Sequence, residues 1–352
     1  MIPLTPHAIQ DPDDALAPWR RAMRDAVRDP FELLRLVELP ATTIGDAAAA
    51  REFPLLAPLG YIARMRRGDP NDPLLLQVLP QAAETAEVPG FITDPVGDLQ
   101  ALSAPGLLHK YHGRALIVAT GACAVHCRYC FRRHFPYAES GASHGRLERL
   151  IEALRQHPEI DEIILSGGDP LMLDDEKLSA WVKALEELPQ LRRLRLHSRM
   201  PVILPERVDE ALLGWICSTR LQVVCVIHCN HANELDHDVG EALNRLRMAG
   251  VSLLNQSVLL RDINDTTETL ASLSLRLFEF GVLPYYLHLL DPVAGAAHFN
   301  IPETHAREIM HNLRASLPGY LVPRLVREEA GKSGKTDIPP LDTGTRLQPE
   351  SG

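Results

Sequence analysis

Gly121-Ala-Cys123-Ala-Val-His126-Cys127-Arg-Tyr129-Cys130-Phe-Arg132-Arg133-His134-Phe-Pro-Tyr137 is the stretch from which the fold can be read. Three thiols fall inside eight residues, in a C-x3-C-x2-C spacing that can converge on one inorganic centre. They follow the apolar, strand-like run at 115–120, so they sit on a loop that leaves the end of a strand. Loops of that kind carry the chemistry of α/β proteins. A four-iron cubane ordinarily takes four cysteines; a fourth is missing locally, which leaves one iron open to a ligand that is not protein. The competing reading is a structural zinc loop of the Cys3His type, with His126 or His134 as fourth ligand, in a binding protein without turnover. Such loops are usually built from paired C-x2-C knuckles, and no second pair follows. Disulfides need an oxidising compartment and do not suit an intracellular-looking chain.

Working outward, the sequence alternates strand-like and helical segments. Apolar runs at 115–120, 162–166, 191–198, 221–229, 251–257 and 283–290 are separated by amphipathic stretches at 146–156, 176–188, 208–217, 238–248 and 267–280. Six β-α repeats with right-handed crossovers predict a parallel sheet that curves into an open barrel, short of the eight units of a closed one. Residues at the C-terminal ends of the strands then point into the site: Ser166, Gly167, Gly168 and Asp169, then Ser198 and Arg199, His228, and Gln256. The two adjacent glycines let a backbone approach a ligand, or simply close a tight turn. Near the C-terminus, Gly331-Lys-Ser-Gly-Lys-Thr336 has the look of a phosphate loop, but Glu329 stands where the first glycine of that motif belongs and Asp337-Ile-Pro-Pro follows in place of a helix.

Composition narrows the class. Hydrophobic residues make up 45% and charged residues 23% of the 352, as in an ordinary soluble globular protein, and the length allows one large α/β domain with additions or two domains. The net charge of -10 and the pI of about 5.8 argue against broad nucleic-acid binding. Arg192, Arg193 and Arg195 form a local basic patch or a solvated face. No run approaches the length of a membrane span, and residues 1–10 lack the order of a signal peptide, so a cytoplasmic location is expected. Cys217, Cys225 and Cys229 fall in apolar segments and read as core residues. Residues 1–105 carry helical patterns at 18–27, 31–37, 47–53 and 59–65, with Pro18 and Pro30 suited to helix starts. No catalytic constellation is visible there, so this part reads as a helical cover over the barrel or as packing without chemistry.

The cysteine loop, with Tyr129 just before its last thiol, resembles the signature of radical S-adenosylmethionine enzymes. More narrowly, His-Lys-Tyr-His-Gly-Arg at 109–114, Cys-Arg-Tyr-Cys-Phe-Arg-Arg at 127–133, Leu-Ser-Gly-Gly-Asp-Pro at 165–170 and Asn-Gln-Ser-Val-Leu-Leu-Arg at 255–261 resemble the lysine 2,3-aminomutase family. The resemblance covers about residues 94–336. It implies an α/β fold: a partial (β/α)6 barrel at 106–320, an N-terminal helical region at 1–105, and a C-terminal segment at 321–352 that carries a pyridoxal phosphate lysine, Lys335, with Lys332 as its rival. A [4Fe-4S] cluster on Cys123, Cys127 and Cys130 is implied, its open iron binding S-adenosylmethionine, whose reductive cleavage yields a deoxyadenosyl radical.

By the same resemblance the motif from Ser166 to Asp169 meets the amino group of S-adenosylmethionine, and His228 and Gln256 help line that site. Lys110, Tyr111 and Arg114 match the positions that hold the pyridoxal phosphate group; the lysine mutases more often have Arg at the first, so Lys110 offers a point charge in place of a fork. Arg132 matches the residue that grips the substrate carboxylate, the bland reading being a surface arginine. Asp291 and Glu328 match two acids that meet the lysine ammonium, with Asp more usual at the second position and Glu329 beside it as a substitute. Pro-Gly-Leu-Leu-His-Lys-Tyr at 105–111, the run at 130–137 and the short tail after Lys335 are similar to the branch that modifies elongation factor P. That branch makes (R)-β-lysine from L-lysine, and a separate ligase attaches it to the factor. The same-class alternative is a lysine 2,3-aminomutase of catabolism or osmolyte synthesis. The electron donor stays unspecified, and a homo-oligomer stays open.

Overall fold

The computed structural model describes residues 16–43, 48–137 and 145–341. The leader expectation at 1–10, Ala47 of the third helical pattern and the end of the C-terminal segment lie outside the described residues. Ten strands form one sheet in chain order: β1 (Leu102–Ala104), β2 (Leu107–Tyr111), β3 (Arg114–Thr120), β4 (Glu162–Gly167), β5 (Arg193–Ser198), β6 (Gln222–His228), β7 (Ser252–Leu259), β8 (Leu283–Leu289), β9 (Arg324–Arg327) and β10 (Thr336–Asp337). Neighbours from β3 to β9 pair in parallel. Short antiparallel additions flank them, β1 and β2 on one side and β10 on the other.

All six expected strands are present, and a seventh parallel strand, β9, corrects the count. It was invisible as an apolar run because it is only Arg-Leu-Val-Arg, with Leu325 and Val326 buried between two charges. The sheet also extends past residues 105 and 320, since β1 precedes the first and β9 and β10 follow the second. The Tyr111 hydroxyl on β2 donates to the Glu328 carboxylate just after β9, so the sheet curves until its two sides face each other.

Helices Arg146–Arg155, Asp175–Glu186, Glu210–Ser218, His237–Met248, Thr267–Glu279 and Glu303–Ser316 run between the parallel strands. Three start on a capping side chain: Asp209, Asp236 and Thr266 each accept a backbone N–H three residues on. Their apolar stripes, such as Leu178, Trp181, Val182 and Leu185, are buried in the core. Cys225 and Cys229 are core residues as expected, but Cys217 is exposed; Trp215 and Ile216 take the buried face of its helix and leave the next position turned outward.

The N-terminal region folds into short helices, Pro18–Arg24, Pro30–Leu36, Ala48–Glu52, Leu59–Ile62 and Pro73–Leu76. Pro18 and Pro30 open the first two. The first stops before Val27, whose backbone pairs with Ala57 instead. No helix among the described residues is long and apolar enough to cross a membrane.

Candidate active site

Side chains from β2 to β8, the cysteine loop and the segment after β9 line one cavity of about 350 Å³. The loop after β3 brings Cys123, Cys127 and Cys130 to its wall. That loop is tied to the end of β4: Gly168 N–H donates to Thr120 O at 2.7 Å and Asp169 N–H to Ala122 O at 2.8 Å. A Cβ on Gly168 would stand 2.3 Å from Ala122 O, and Gly167 has φ +116°. The glycine pair therefore permits backbone-to-backbone packing under the thiols. Asp169 accepts from Ser198 Oγ (2.8 Å), Leu171 N–H (3.0 Å), Arg199 N–H (2.7 Å) and Met200 N–H (3.1 Å), which locks the end of β4 to the end of β5.

The thiols fit a multi-iron centre better than a single ion. A tetrahedral zinc with bonds of about 2.3 Å needs sulfurs within roughly 4 Å of one another. Among the described residues, the one gathered set of three His, Cys, Asp or Glu ligand atoms is His109, His157 and Glu159, and the cysteine sulfurs are not drawn into a set of that kind. His126 Nδ1 lies 2.8 Å from Pro54 O and His134 Nε2 lies 3.1 Å from Ala294 O, so both rings are engaged elsewhere. Burial, with Cys127 beside it, pushes the Cys130 thiol up to about 11, and burial among the other thiols raises Cys123 as well. A cationic centre supplies what holds such sulfurs as thiolates. Arg199 already donates to Cys127 Sγ at 2.7 Å, and also to Gln77 Oε1 (2.7 Å) and Glu234 Oε2 (2.8 Å).

A chain of ion pairs crosses the same cavity. Lys335 Nζ donates to Glu328 at 2.6 Å, Tyr111 OH donates to the other Glu328 oxygen at 2.5 Å, and Lys110 Nζ stands 3.6 Å from it. Lys110 also pairs with Asp98 at 2.6 Å, and Arg132 Nε donates to the second Asp98 oxygen at 2.6 Å. Arg132 is buried and reaches Ser166 Oγ at 3.3 Å, so it is no surface arginine. The Arg114 guanidinium lies 4.6 Å from the Tyr111 ring centroid. Burial raises the Asp98 and Glu328 carboxyls, but their cations outweigh it and hold both below the usual range. Asp291 makes no such pair, and burial, opposed by Lys335 and reinforced by Glu328, pushes it up to about 7.

Three candidate residues lie outside the cavity lining. Ser198 does not line the cavity; on β5 the burial alternates, so Arg195 and His197 face the cavity while Leu194, Leu196 and Ser198 face the helices. Glu329 turns to Thr336, whose hydroxyl donates to it, which leaves Glu328 in the cavity. Lys332 is exposed and outside it, and the phosphate-loop likeness ends in strand β10. Arg193 and Arg195 pair with Asp161 and Glu162, so they are not a free basic patch.

Beyond the expected residues, the cavity is lined by Asp98, Tyr285, Tyr286, His197 and His288. His228 and Gln256 contact at 2.6 Å, and burial, then Arg199, Arg132 and Lys335, lowers His228 to about 3. The two further histidines, His197 and His288, stand out in the sequence as polar positions within apolar strands. Gln77 and Asp98 show that the N-terminal region enters the site.

The Radical SAM superfamily model matches residues 117–213, the span of β3, the cysteine loop, β4 and β5. Over 332 residues the chain is 49% identical to the L-lysine 2,3-aminomutase of Escherichia coli (strain K12), covering 94% of this chain and 96% of that protein. The chain belongs to the lysine 2,3-aminomutase family. It is 45% identical to the L-lysine 2,3-aminomutase of Haemophilus influenzae, over 90% of this chain and 94% of that one. With that of Clostridium subterminale the identity is 33%, over 92% and 78%. As an aminomutase it is a radical SAM isomerase that works with a [4Fe-4S] cluster, S-adenosylmethionine and pyridoxal phosphate, and the zinc-stabilised, non-enzymatic reading falls away. For an aminomutase the donor set fits: three cysteines without a fourth on the cavity wall, and a lysine amine 5.7 Å from the Tyr286 ring beside Lys110, Tyr111 and Arg114.

Proposed function

We propose that this aminomutase converts L-lysine to (R)-β-lysine, which a separate ligase attaches to elongation factor P. The observation that carries the substrate is the charge layout of the cavity: a buried arginine, Arg132, for a carboxylate, and two acids, Asp291 and Glu328, for a distant ammonium. A diamino acid has that pattern of charges. The translation-factor branch is supported by the stretches at 105–111 and 130–137, and a cytoplasmic location suits it.

The cluster and S-adenosylmethionine supply the radical, and pyridoxal phosphate supplies delocalisation of the unpaired electron during amine migration. Cys123, Cys127 and Cys130 hold the cluster. Arg199, donating to Cys127, and Asp169, fixing the β4 and β5 ends, keep the cofactor-facing residues Ser166, Gly167, Gly168, His228 and Gln256 in place, with Ser198 acting from behind Asp169. His228 stays neutral and offers a hydrogen-bonding nitrogen without charge. Lys335 anchors the pyridoxal, and Lys110, Tyr111 and Arg114 take its phosphate. Glu328, which Lys335 engages in the cofactor-free protein, would meet the substrate ammonium in the loaded one.

The test is an anaerobic assay of protein reconstituted with iron and pyridoxal phosphate, given S-adenosylmethionine, dithionite and L-lysine, with chiral analysis of the product. (R)-β-lysine is expected. The S enantiomer would overturn the translation-factor reading, and no β-lysine from protein with an intact cluster would overturn the choice of lysine.

A further inference from the structure

We propose that His109, His157 and Glu159 form a separate binding site for a divalent transition metal of the zinc class, on the outer side of the barrel. On β2, Leu108 and Lys110 line the cavity and His109 between them does not, while the register shift between Leu108 and Tyr111 brings Tyr111 to the cavity as well. His157 and Glu159 lie on the turn between helix Arg146–Arg155 and β4, and that turn is fixed: His157 N–H donates to Leu154 O and Ile160 N–H to His157 O, both at 3.1 Å. Gly113 O, in the β2–β3 turn, accepts from Asp161 N–H at 3.0 Å and Glu162 N–H at 3.2 Å, which holds the hairpin against the same turn.

The three donors converge on these supports. The His109 and His157 ring centroids are 5.0 Å apart at 75°, and His157 Nδ1 lies 3.0 Å from Glu159 Oε1. One ligand atom from each residue falls within 4.8 Å of the other two. An ion pair would explain His157 and Glu159 alone; it does not explain why a third nitrogen from another strand meets them. Two imidazoles and a carboxylate are a set that zinc accepts with water completing the shell, whereas calcium and magnesium take oxygen. The rings are half-buried and Glu159 is exposed, which leaves an open side for that water. A bound ion would clamp the β2–β3 hairpin, which carries Lys110 and Tyr111 into the cavity, onto the start of β4.

The experiment is anaerobic calorimetry with zinc chloride on protein whose cysteines already hold the iron–sulfur cluster. Wild type is expected to take up one zinc per chain. Changes to groups behind a ligand already cost about 10–100-fold in affinity, so Glu159→Gln and His157→Ala should each bind about 100-fold more weakly. Thermal denaturation with and without zinc gives a second readout: the midpoint should rise in wild type and stay still in both variants. Glu159 is exposed, so its variant keeps the fold, and iron content checks that each variant is intact. No zinc uptake by wild type, or uptake that persists in either variant, would overturn the site.

Discussion

Asp291 lines the cavity as an acid that makes no ion pair, and its carboxyl is displaced upward to about 7 by burial, with Lys335 opposing and Glu328 adding to the shift. A folded-state pKa above the unfolded one means that the native protein holds the extra proton between about pH 4 and 7. Unfolding stability therefore falls as pH rises through that window. In cofactor-free protein, Asp291→Asn should raise the melting temperature at pH 8, with the gain closing towards pH 4; a gain equal at both ends would contradict the shift. Under the proposed function, binding of the substrate ammonium offsets this cost. Losing one partner of a desolvated charge pair costs about 2–5 kcal/mol, so Asp291→Ala should lower kcat/KM for lysine by about 30-fold or more while iron and pyridoxal loading stay normal. Unchanged lysine kinetics would remove Asp291 from the substrate site. This residue was legible from family likeness, whereas Asp98 was not. It is one acid in a turn-like run at 94–98, and its pairing with Arg132 and Lys110 is made by the fold.

At the scale of elements, apolar runs revealed six parallel strands because each buries residues either in an unbroken stretch, as β4 does with Glu162 to Ser166, or at every second position, as β5 and β7 do. β9, a four-residue strand with charged ends, carries too little apolar signal, and Ser198 sits on the face of β5 away from the cavity, where it holds Asp169, a parity that its place at the strand end does not reveal. The packing of one element on another explains the glycine motif after β4. In Gly168→Ala the added methyl would meet Ala122 O at 2.3 Å and Gly121 C at 2.8 Å, backbone atoms that cannot swing aside. The cysteine loop would have to move. The variant is expected to keep its far-ultraviolet circular dichroism but to lose most of its iron and brown absorption after reconstitution. Full cluster loading would mean that the loop tolerates displacement.

At the scale of the molecule, the chain closes on itself through Glu328. This one carboxylate accepts from Tyr111 on β2 and from Lys335 ahead of β10, and faces Lys110, so it joins segments more than two hundred residues apart. Backbone bonds reinforce the closure nearby: Ile92 N–H donates to Pro292 O at 2.9 Å, and Ala294 N–H to Ile92 O at 3.0 Å. Burial works against the ionised Glu328, but Lys335, Tyr111 and Lys110 outweigh it and hold its pKa below the ordinary glutamate value. The stability it contributes is thus fully present above the unfolded pKa, about 4.3, and is lost as pH falls through the lower folded value. Glu328→Gln keeps the shape and removes the charge, and hydrogen bonds to charged groups are worth about 1.5–3 kcal/mol. Cofactor-free Glu328→Gln should therefore be less stable than wild type by about that amount at pH 7, with the two converging in acid below pH 4. If the deficit instead persisted in acid, packing and not charge would hold the two sides of the barrel together, and Glu328 would be left with the substrate ammonium as its sole electrostatic partner of consequence.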